Sequence, residues 1–382
     1  MLVAAEASGD DRGAGLARAL TARLGDDVRF LGVGGEKMAA QGVATPFVIA
    51  EISILGLLEG LMAYPHIVRR VRDAVALAAR EKPDVAVLID SWGFTLRVAQ
   101  GLRRLDPKLP LIKYVGPQVW ATRPGRAKTL AAAVDQLLSI HAFDAPYFEA
   151  QGLPVTFVGN SALSLDFSKA DAQRLRREIA AGPSDPILVV LPGSRPGEIE
   201  RVLPPFEEAV RRLKDARPDL HVVVPAAPTV AEMVRARVAG WSHRAHVIEG
   251  EAGKLDAMKA ATVALACSGT VTTELALAGV PMVVGYRLGP VTYAILQRLI
   301  RTKYITLFNI AAQAFVAPEL VQAECTGPKL AHEIALRLDD ADLRSRQVLA
   351  QYAALDRMGR GGPDPSEAAA EAVLKVLAGR ST

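Results

Sequence analysis

Short apolar runs, many of them β-branched, alternate with longer Ala-, Leu- and Arg-rich stretches along the whole chain. The runs fall at 2–5, 29–33, 85–89, 111–115, 136–140 and 155–158, and after Pro183 at 187–191, 221–225, 246–248, 263–266 and 282–285. Runs that stay apolar, without polar alternation, belong to strands covered on both faces, and the segments between them are long enough for helices. The pattern predicts an α/β fold in which βα units build parallel sheets in two Rossmann-like domains. It restarts near residue 186, after Gly182-Pro183-Ser184-Asp185-Pro186, a cluster that halts regular structure. The domains expected are 1–165 and 166–350, followed by a helical tail at 351–382 that packs back on the first domain through a closing helix, Glu367–Leu377.

A chain of 382 residues exceeds the roughly 250–300 at which a single core stops growing, in line with two domains. Half of the residues are apolar and 23% are charged, with a mean hydropathy of +0.20, which excludes a disordered chain. Lys and Arg number 45 against 41 Asp and Glu, so the net charge is only +4 and a nucleic-acid partner is not indicated. Two cysteines, Cys267 and Cys325, cannot make a disulfide framework or a four-cysteine zinc site. The first residues show no signal-peptide pattern, so the cytosol is the compartment expected. The first strand opens at Met1-Leu2, short enough to read as a trimmed N-terminus. No apolar run reaches the ~20 residues of a membrane span. The segment Ile52–Tyr64, broken by Glu59 and followed by Arg69, Arg70 and Arg72, leaves two readings open: a buried amphipathic helix with a solvated end, or an element lying on a membrane surface.

Ligands of such folds sit at the carboxyl ends of strands, so the residues just after each run carry the candidate chemistry. Glu6-Ala7-Ser8-Gly9-Asp10 follows the first run and precedes a helix expected to begin near Gly13; it suits an anion or sugar hydroxyl, or is a plain helix cap. Gly32-Val-Gly34-Gly35 follows the second run but lacks the GxGxxG spacing and acidic residue of a dinucleotide site. Asp90 closes the run 85–89, and is a general base at the end of a buried strand or a helix cap. The stretch from Lys113 through Tyr114, Gln118, Trp120, Arg123, Arg126 and Lys128 mixes aromatics with cations, fit for sugar and phosphate or for a loop anchored by its tryptophan. In the second half, Gly193-Ser194-Arg195 offers amides, a hydroxyl and a guanidinium to a diphosphate. Ser268-Gly269-Thr270 repeats that logic, with Glu274 one turn on, placed for a ribose diol. Either loop alone is an ordinary capped turn; the two in one domain point to binding. His243 and His246 lack further ligands, so no metal site is expected, and a G-x-S-x-G elbow is absent.

In their order and spacing these motifs resemble the bacterial lipid-A-disaccharide synthase family, inverting glycosyltransferases of the B-type architecture, in which two Rossmann-like domains face each other across a cleft. The resemblance runs almost end to end through Glu6–Asp10, Gly32–Met38, Ile54–Glu59, Pro83–Val85, Ile89-Asp90, Tyr114–Trp120, Arg123–Arg126, Phe157–Gly159, Leu191–Arg195, Val223–Ala227, Ser268–Thr270, Glu274, Pro281–Arg287 and Asn309. It implies transfer of 2,3-diacylglucosamine from UDP-2,3-diacylglucosamine to the 6-hydroxyl of 2,3-diacylglucosamine 1-phosphate, without metal or cofactor. Asp90 is then the catalytic base. Gly193, Ser194, Arg195, Ser268, Gly269, Thr270 and Glu274 bind the UDP-sugar. Glu6, Ser8, Gly9, Asp10, Tyr114, Gln118, Trp120, Arg123 and Asn309 bind acceptor and sugar. The resemblance further implies peripheral association with the inner face of the cytoplasmic membrane and a homodimer with intertwined carboxyl-terminal regions. It departs from the family where Ser91-Trp92-Gly93-Phe94-Thr95 replaces Ala-Pro-Asp-Phe-Asn, where Asn160 replaces a histidine, where Ser164 replaces an aspartate, and where Gly116 and Gln118 replace serines. Competing expectations are a UDP-N-acetylglucosamine 2-epimerase or a polyprenyl-acceptor transferase of the same fold, and a binding protein that keeps the fold alone.

Overall fold

The computed structural model describes residues 1–47, 49 and 64–379. Their twelve strands form two six-stranded sheets in which every pairing is parallel. The first comprises β1 (Leu2–Val3), β2 (Gly32–Val33), β3 (Ala86–Ile89), β4 (Leu111–Tyr114), β5 (Gln136–Ser139) and β6 (Val155–Phe157), in the order β2-β1-β3-β4-β5-β6. The second comprises β7 (Ile187–Leu191), β8 (His221–Ala226), β9 (His246–Glu249), β10 (Val263–Ala266), β11 (Met282–Tyr286) and β12 (Glu319–Val321), in the order β12-β11-β10-β7-β8-β9. All eleven runs read from the sequence are strands, and the two expected parallel-sheet domains are both present. Only β12 lacked a signal, because it is three half-buried residues long and begins on a glutamate.

Residue alternation shows why the runs had to be apolar throughout. In β3, Ala86 and Leu88 enter the core on one face while Val87 and Ile89 enter the core on the other. In β7, Leu188 and Val190 face one way and Ile187, Val189 and Leu191 the other. Helices cover both faces, so a polar residue has nowhere to go except the strand ends.

The chain divides into two compact units, Met1–Asn160 with Gly362–Thr382, and Ser161–Gly361. The final helices split between them. Ala341–Arg357 packs in the second unit, where buried Gln347 and Gln351 donate amide hydrogens to the Met282 and Val280 carbonyls at 2.8 and 3.0 Å. Pro365–Ala378 packs in the first, against the helix Ala7–Leu24. Asp364 caps it by accepting from the amides of Ser366 and Glu367. The first helix itself begins at Ala7 and not near Gly13: Glu6 is its extended N-cap, and Gly9, Asp10 and Gly13 are buried along it, so the expected loop is the helix's first turn.

The apolar stretch at 52–63 lies outside the described residues. The basic segment after it belongs to the helix Tyr64–Glu81, where Ala74, Leu77 and Ala78 are buried and Ile67, Val71 and Val75 pack on the same core, while Arg69 and Arg72 are exposed. No helix among the described residues is long and apolar enough to cross a membrane.

Phe206 is wholly buried in the second unit, where it packs against Gly285 so closely that a Cβ there would stand 2.5 Å from its ring. Phe206→Ala is therefore expected to cost about 3–5 kcal/mol of stability, read from urea unfolding followed by circular dichroism.

Candidate active site

In the second sheet the chain enters at β7, runs outward to β9, and returns to β10 on the other side of β7. The loops leaving β7 and β10 therefore diverge at the carboxyl edge, the switch point where open α/β sheets hold ligands. Gly193 lies at φ 107°, where a side chain would be strained and its Cβ would stand 3.0 Å from Glu198 Oε2. Arg195 is the N-cap of the helix Pro196–Ala216, and Gly269 is the N-cap of the helix Thr270–Leu277. No side chain at either N-cap accepts from the first-turn amides, so both helix starts present amide ends without a side-chain cap.

These two loops line one cavity of about 440 Å³. Gly193, Ser194, Arg195, Ser268, Gly269, Thr270 and Glu274 all border it, so the seven residues predicted as one binding set are brought together. Sequence reasoning missed Glu198, the segment Pro225–Pro228 at the end of β8, and Gly250, Glu251 and Lys254 after β9. The signal for the last group was available: Gly250-Glu-Ala-Gly-Lys254 follows a strand end as the other loops do. Lys254 Nζ donates to Glu274 Oε2 and Glu251 Oε1, both at 2.8 Å, which fixes the Glu274 carboxylate at the wall. Arg195 is largely exposed and pairs with Glu198 at 2.9 Å, at the edge of the amide-lined end. Burial pushes the Cys267 thiol up to about 12, so it is a neutral wall of the cavity.

In the first sheet, β3 ends on Ile89, and the next two residues, Asp90 and Ser91, both adopt left-handed backbone at φ 52° and 34°. Two such non-glycine residues in succession cost on the order of 1–3 kcal/mol each and must be held from outside. Lys113 Nζ, from β4, donates to the Asp90 carbonyl and to Thr95 Oγ1 at 2.8 Å. Thr95 Oγ1 lies 2.9 Å from the Asp90 carbonyl and 2.7 Å from that of Ser91. The turn aims the half-buried Asp90 carboxylate at the first helix. There Oδ2 accepts from Ser8 Oγ at 2.8 Å and Arg12 Nη1 at 3.1 Å, and Oδ1 accepts from the Ser91 amide at 3.0 Å. Gly9 packs on the first strand's end, where a Cβ would crowd Ala4 Cβ at 3.1 Å while meeting Asp90 Cβ at an ordinary contact distance of 3.6 Å. Arg12 was missed, although it stands four residues after Ser8 and so on the same helix face.

The remaining predicted acceptor residues do not form one group. Glu6 is exposed at the helix start, and Gln118 and Arg123 are exposed on their loop. Asp10 turns the other way: Oδ1 accepts from the amides of Gly35 and Met38 at 2.7 and 3.0 Å, and Oδ2 from that of Lys37 at 3.0 Å. The Gly34-Gly35 signal is thus explained by a backbone turn wrapped on a buried carboxylate. Tyr114 lies in the core, its hydroxyl pushed up to about 12 by burial. Trp120 is an anchor, donating Nε1–H to Asp144 Oδ1 at 2.9 Å and meeting Phe143 edge-on at 5.4 Å. Asn309 is wholly buried in the second unit, with its amide spent on Glu319 and on the backbone at Val316 and Ala317. His243 pairs with Asp215 at 2.7 Å. Among the described residues, no three His, Cys, Asp or Glu side chains converge as a metal site.

Comparison with known proteins gives a consistent result. A family model described as lipid-A-disaccharide synthetase matches residues 1–373. A lipid-A-disaccharide synthase of Rhodospirillum centenum is 42% identical over 379 residues, covering 99% of this chain and 94% of the relative. One of Paramagnetospirillum magneticum is 40% identical over 378 residues, covering 98% and 97%. Among solved structures, a putative UDP-N-acetylglucosamine 2-epimerase of Listeria monocytogenes superposes with TM-score 0.62 at 15% identity, covering 100% of this chain and 96% of that one. A co-structure of S. aureus MnaA with UDP gives 0.61 at 15% identity, covering 96% and 93%. At that identity the likeness shows the shared two-domain fold of B-type glycosyltransferases and epimerases.

The environment of Lys113 yields a pH test. Burial pushes its ammonium down to about 7, opposed by the charges of Asp90 and Glu6. In the unfolded chain it titrates near 10.5, so between pH 7 and 10 the unfolded state holds a proton that the folded state has released, and stability gains from this group as pH rises. Wild type is expected to gain on Lys113→Met by about 1.4 kcal/mol per pH unit over that window, measured by urea titrations at pH 7, 8.5 and 10.

Proposed function

The chain belongs to the lipid-A-disaccharide synthase family, glycosyltransferases of lipid A synthesis, and on that premise we propose the reaction its two sites perform. The donor is UDP-2,3-diacylglucosamine, held through its UDP in the second-unit cavity. Amides at residues 193–195 and 268–270, with the Arg195 guanidinium, take the diphosphate charge, and Glu274, fixed by Lys254, accepts the ribose hydroxyls. The acceptor is 2,3-diacylglucosamine 1-phosphate. Its 6-hydroxyl oxygen attacks the anomeric carbon as the bond to UDP breaks, and the Asp90 carboxylate takes the hydroxyl proton. A single displacement inverts the anomeric centre, so an α-linked donor gives a β-1,6 disaccharide 1-phosphate and free UDP. The departing charge is stabilised by donors already in place, without a metal ion in the step. Because both substrates carry acyl chains, the enzyme works at the inner face of the cytoplasmic membrane as a peripheral protein.

The observation that carries this reading is the convergence of both amide-rich loops and Glu274 on one cavity of about 440 Å³, within the range of small-molecule sites. The held Asp90 turn supports the second half, since a strained loop at a strand end is the kind of strain that persists where a side chain must be aimed.

The test is a radiolabel transfer assay with donor and acceptor supplied separately and together, and disaccharide is expected only with both. Donor converted in the absence of acceptor would identify an epimerase instead. Asp90→Asn is expected to lower kcat by about 10²–10⁴-fold while leaving UDP affinity, read by calorimetry, within twofold of wild type. Normal turnover in that variant removes the base assignment. Arg195→Ala is expected to weaken UDP binding about tenfold, the value of one charge-assisted contact at an exposed rim.

A further inference from the structure

The second unit carries an exposed surface that the nucleotide cavity does not use. It begins with the helix Pro290–Leu296 and continues through the turn that follows. Tyr293, Leu299 and Ile300 each keep more than a third of their surface in solvent, and Phe315 keeps 56%. Phe315 stacks edge-on with Tyr304 at 4.9 Å, and Lys303 Nζ stands 5.1 Å from the Tyr304 ring, so the apolar surface at 315 continues into the basic stretch before it. Arg298, Arg301 and Lys303 lie among these residues along the chain, and no ion pair among the described residues includes any of the three. The sequence sharpens the bias: no acidic residue occurs between Glu274 and Glu319, whereas Arg287, Arg298, Arg301 and Lys303 all fall in that interval.

Exposed leucine, isoleucine and aromatic side chains are costly in water unless something covers them, and contiguous ones mark an interaction surface. Cations set among them choose the partner. Apolar side chains enter an acyl boundary while guanidinium and ammonium groups meet anionic headgroups, the pattern of a surface-lying amphipathic element. A nucleic acid would use the cations and leave Leu299, Ile300 and Phe315 unsatisfied.

We infer that the surface formed by Tyr293, Leu299, Ile300 and Phe315 with Arg298, Arg301 and Lys303 docks the second unit on an anionic lipid bilayer. This deepens the membrane part of the proposed function and rests on it. It differs from the membrane element expected at Ile52–Arg72 in placing a contact on the nucleotide-binding unit.

The experiment is vesicle sedimentation of the full chain without substrates, using phosphatidylcholine alone and phosphatidylcholine with phosphatidylglycerol, at low and high salt. Transfer activity on short-acyl, water-soluble substrates is measured separately, so that failure of docking and failure of the transferase reading give different results. Wild type is expected to bind only the anionic vesicles and to release with salt. Arg298→Gln with Arg301→Gln is expected to weaken binding about 25-fold, roughly fivefold for each cation. Leu299→Glu with Ile300→Glu is expected to weaken it at least tenfold with the soluble-substrate activity retained; if that pair unfolds, the arginine pair decides. Wild-type vesicle binding in both variants overturns the inference, as does equal binding to neutral vesicles. A change from dimer to monomer in the Leu299→Glu, Ile300→Glu variant also overturns it, because a second copy then covers this face.

Discussion

A parallel sheet buried on both faces leaves its chain one place to present chemistry, the carboxyl ends of its strands. Side chains of β3 and β7 alternate between two apolar cores, so no polar group is tolerated along either strand. Asp90 is the residue immediately after β3, and Gly193 is the second residue after β7. Both sites follow from this exclusion: each unit concentrates its polar atoms where regular structure stops.

What happens at those ends differs between the units. In the second, the loops offer backbone: left-handed Gly193, and two helix starts without side-chain caps. An anion met there is held by fixed dipoles, and the carboxylate on the wall is pinned by an ammonium. In the first, the end of β3 is bent by two left-handed residues and secured from the neighbouring strand by a buried lysine. Lys113 is costly to bury, and burial has already pushed its ammonium to about 7. A buried lysine donating to a backbone carbonyl in this way ties the position of Asp90 to the core of the sheet, so the carboxylate is oriented from the neighbouring strand.

The residues that follow Asp90 each have a physical place in this arrangement. Thr95 is the hydroxyl that Lys113 and the Asp90 and Ser91 carbonyls share. Trp92 opens the helix Trp92–Leu105, and the Arg126 guanidinium lies 5.0 Å from its ring. Gly93 lies in the first turn of that helix, where Arg97 donates to its carbonyl at 2.5 Å. The turn that aims Asp90 is thus secured by its own helix as well as by the neighbouring strand.

Hydrophobic patterning by itself determined the strands, the parallel sheets and the restart near residue 186, because a strand buried on both faces must be written in consecutive apolar residues. It also determined where the ligand loops lie, because a strand end is visible as the point where that run stops. It did not determine which loop residues face a ligand. Ser8 and Asp10 look alike in the sequence, yet Ser8 meets Asp90 while Asp10 is spent on three backbone amides. Tyr114, Trp120 and Asn309 carry recognition chemistry and are consumed inside the fold. Arg12 and Lys254 stand at legible places, one helical turn after Ser8 and just after a strand end, but became partners of Asp90 and Glu274 only when distant segments met. Periodicity is a property of neighbours in the chain, whereas the direction of a side chain at a strand end is set by residues 20 to 80 positions away.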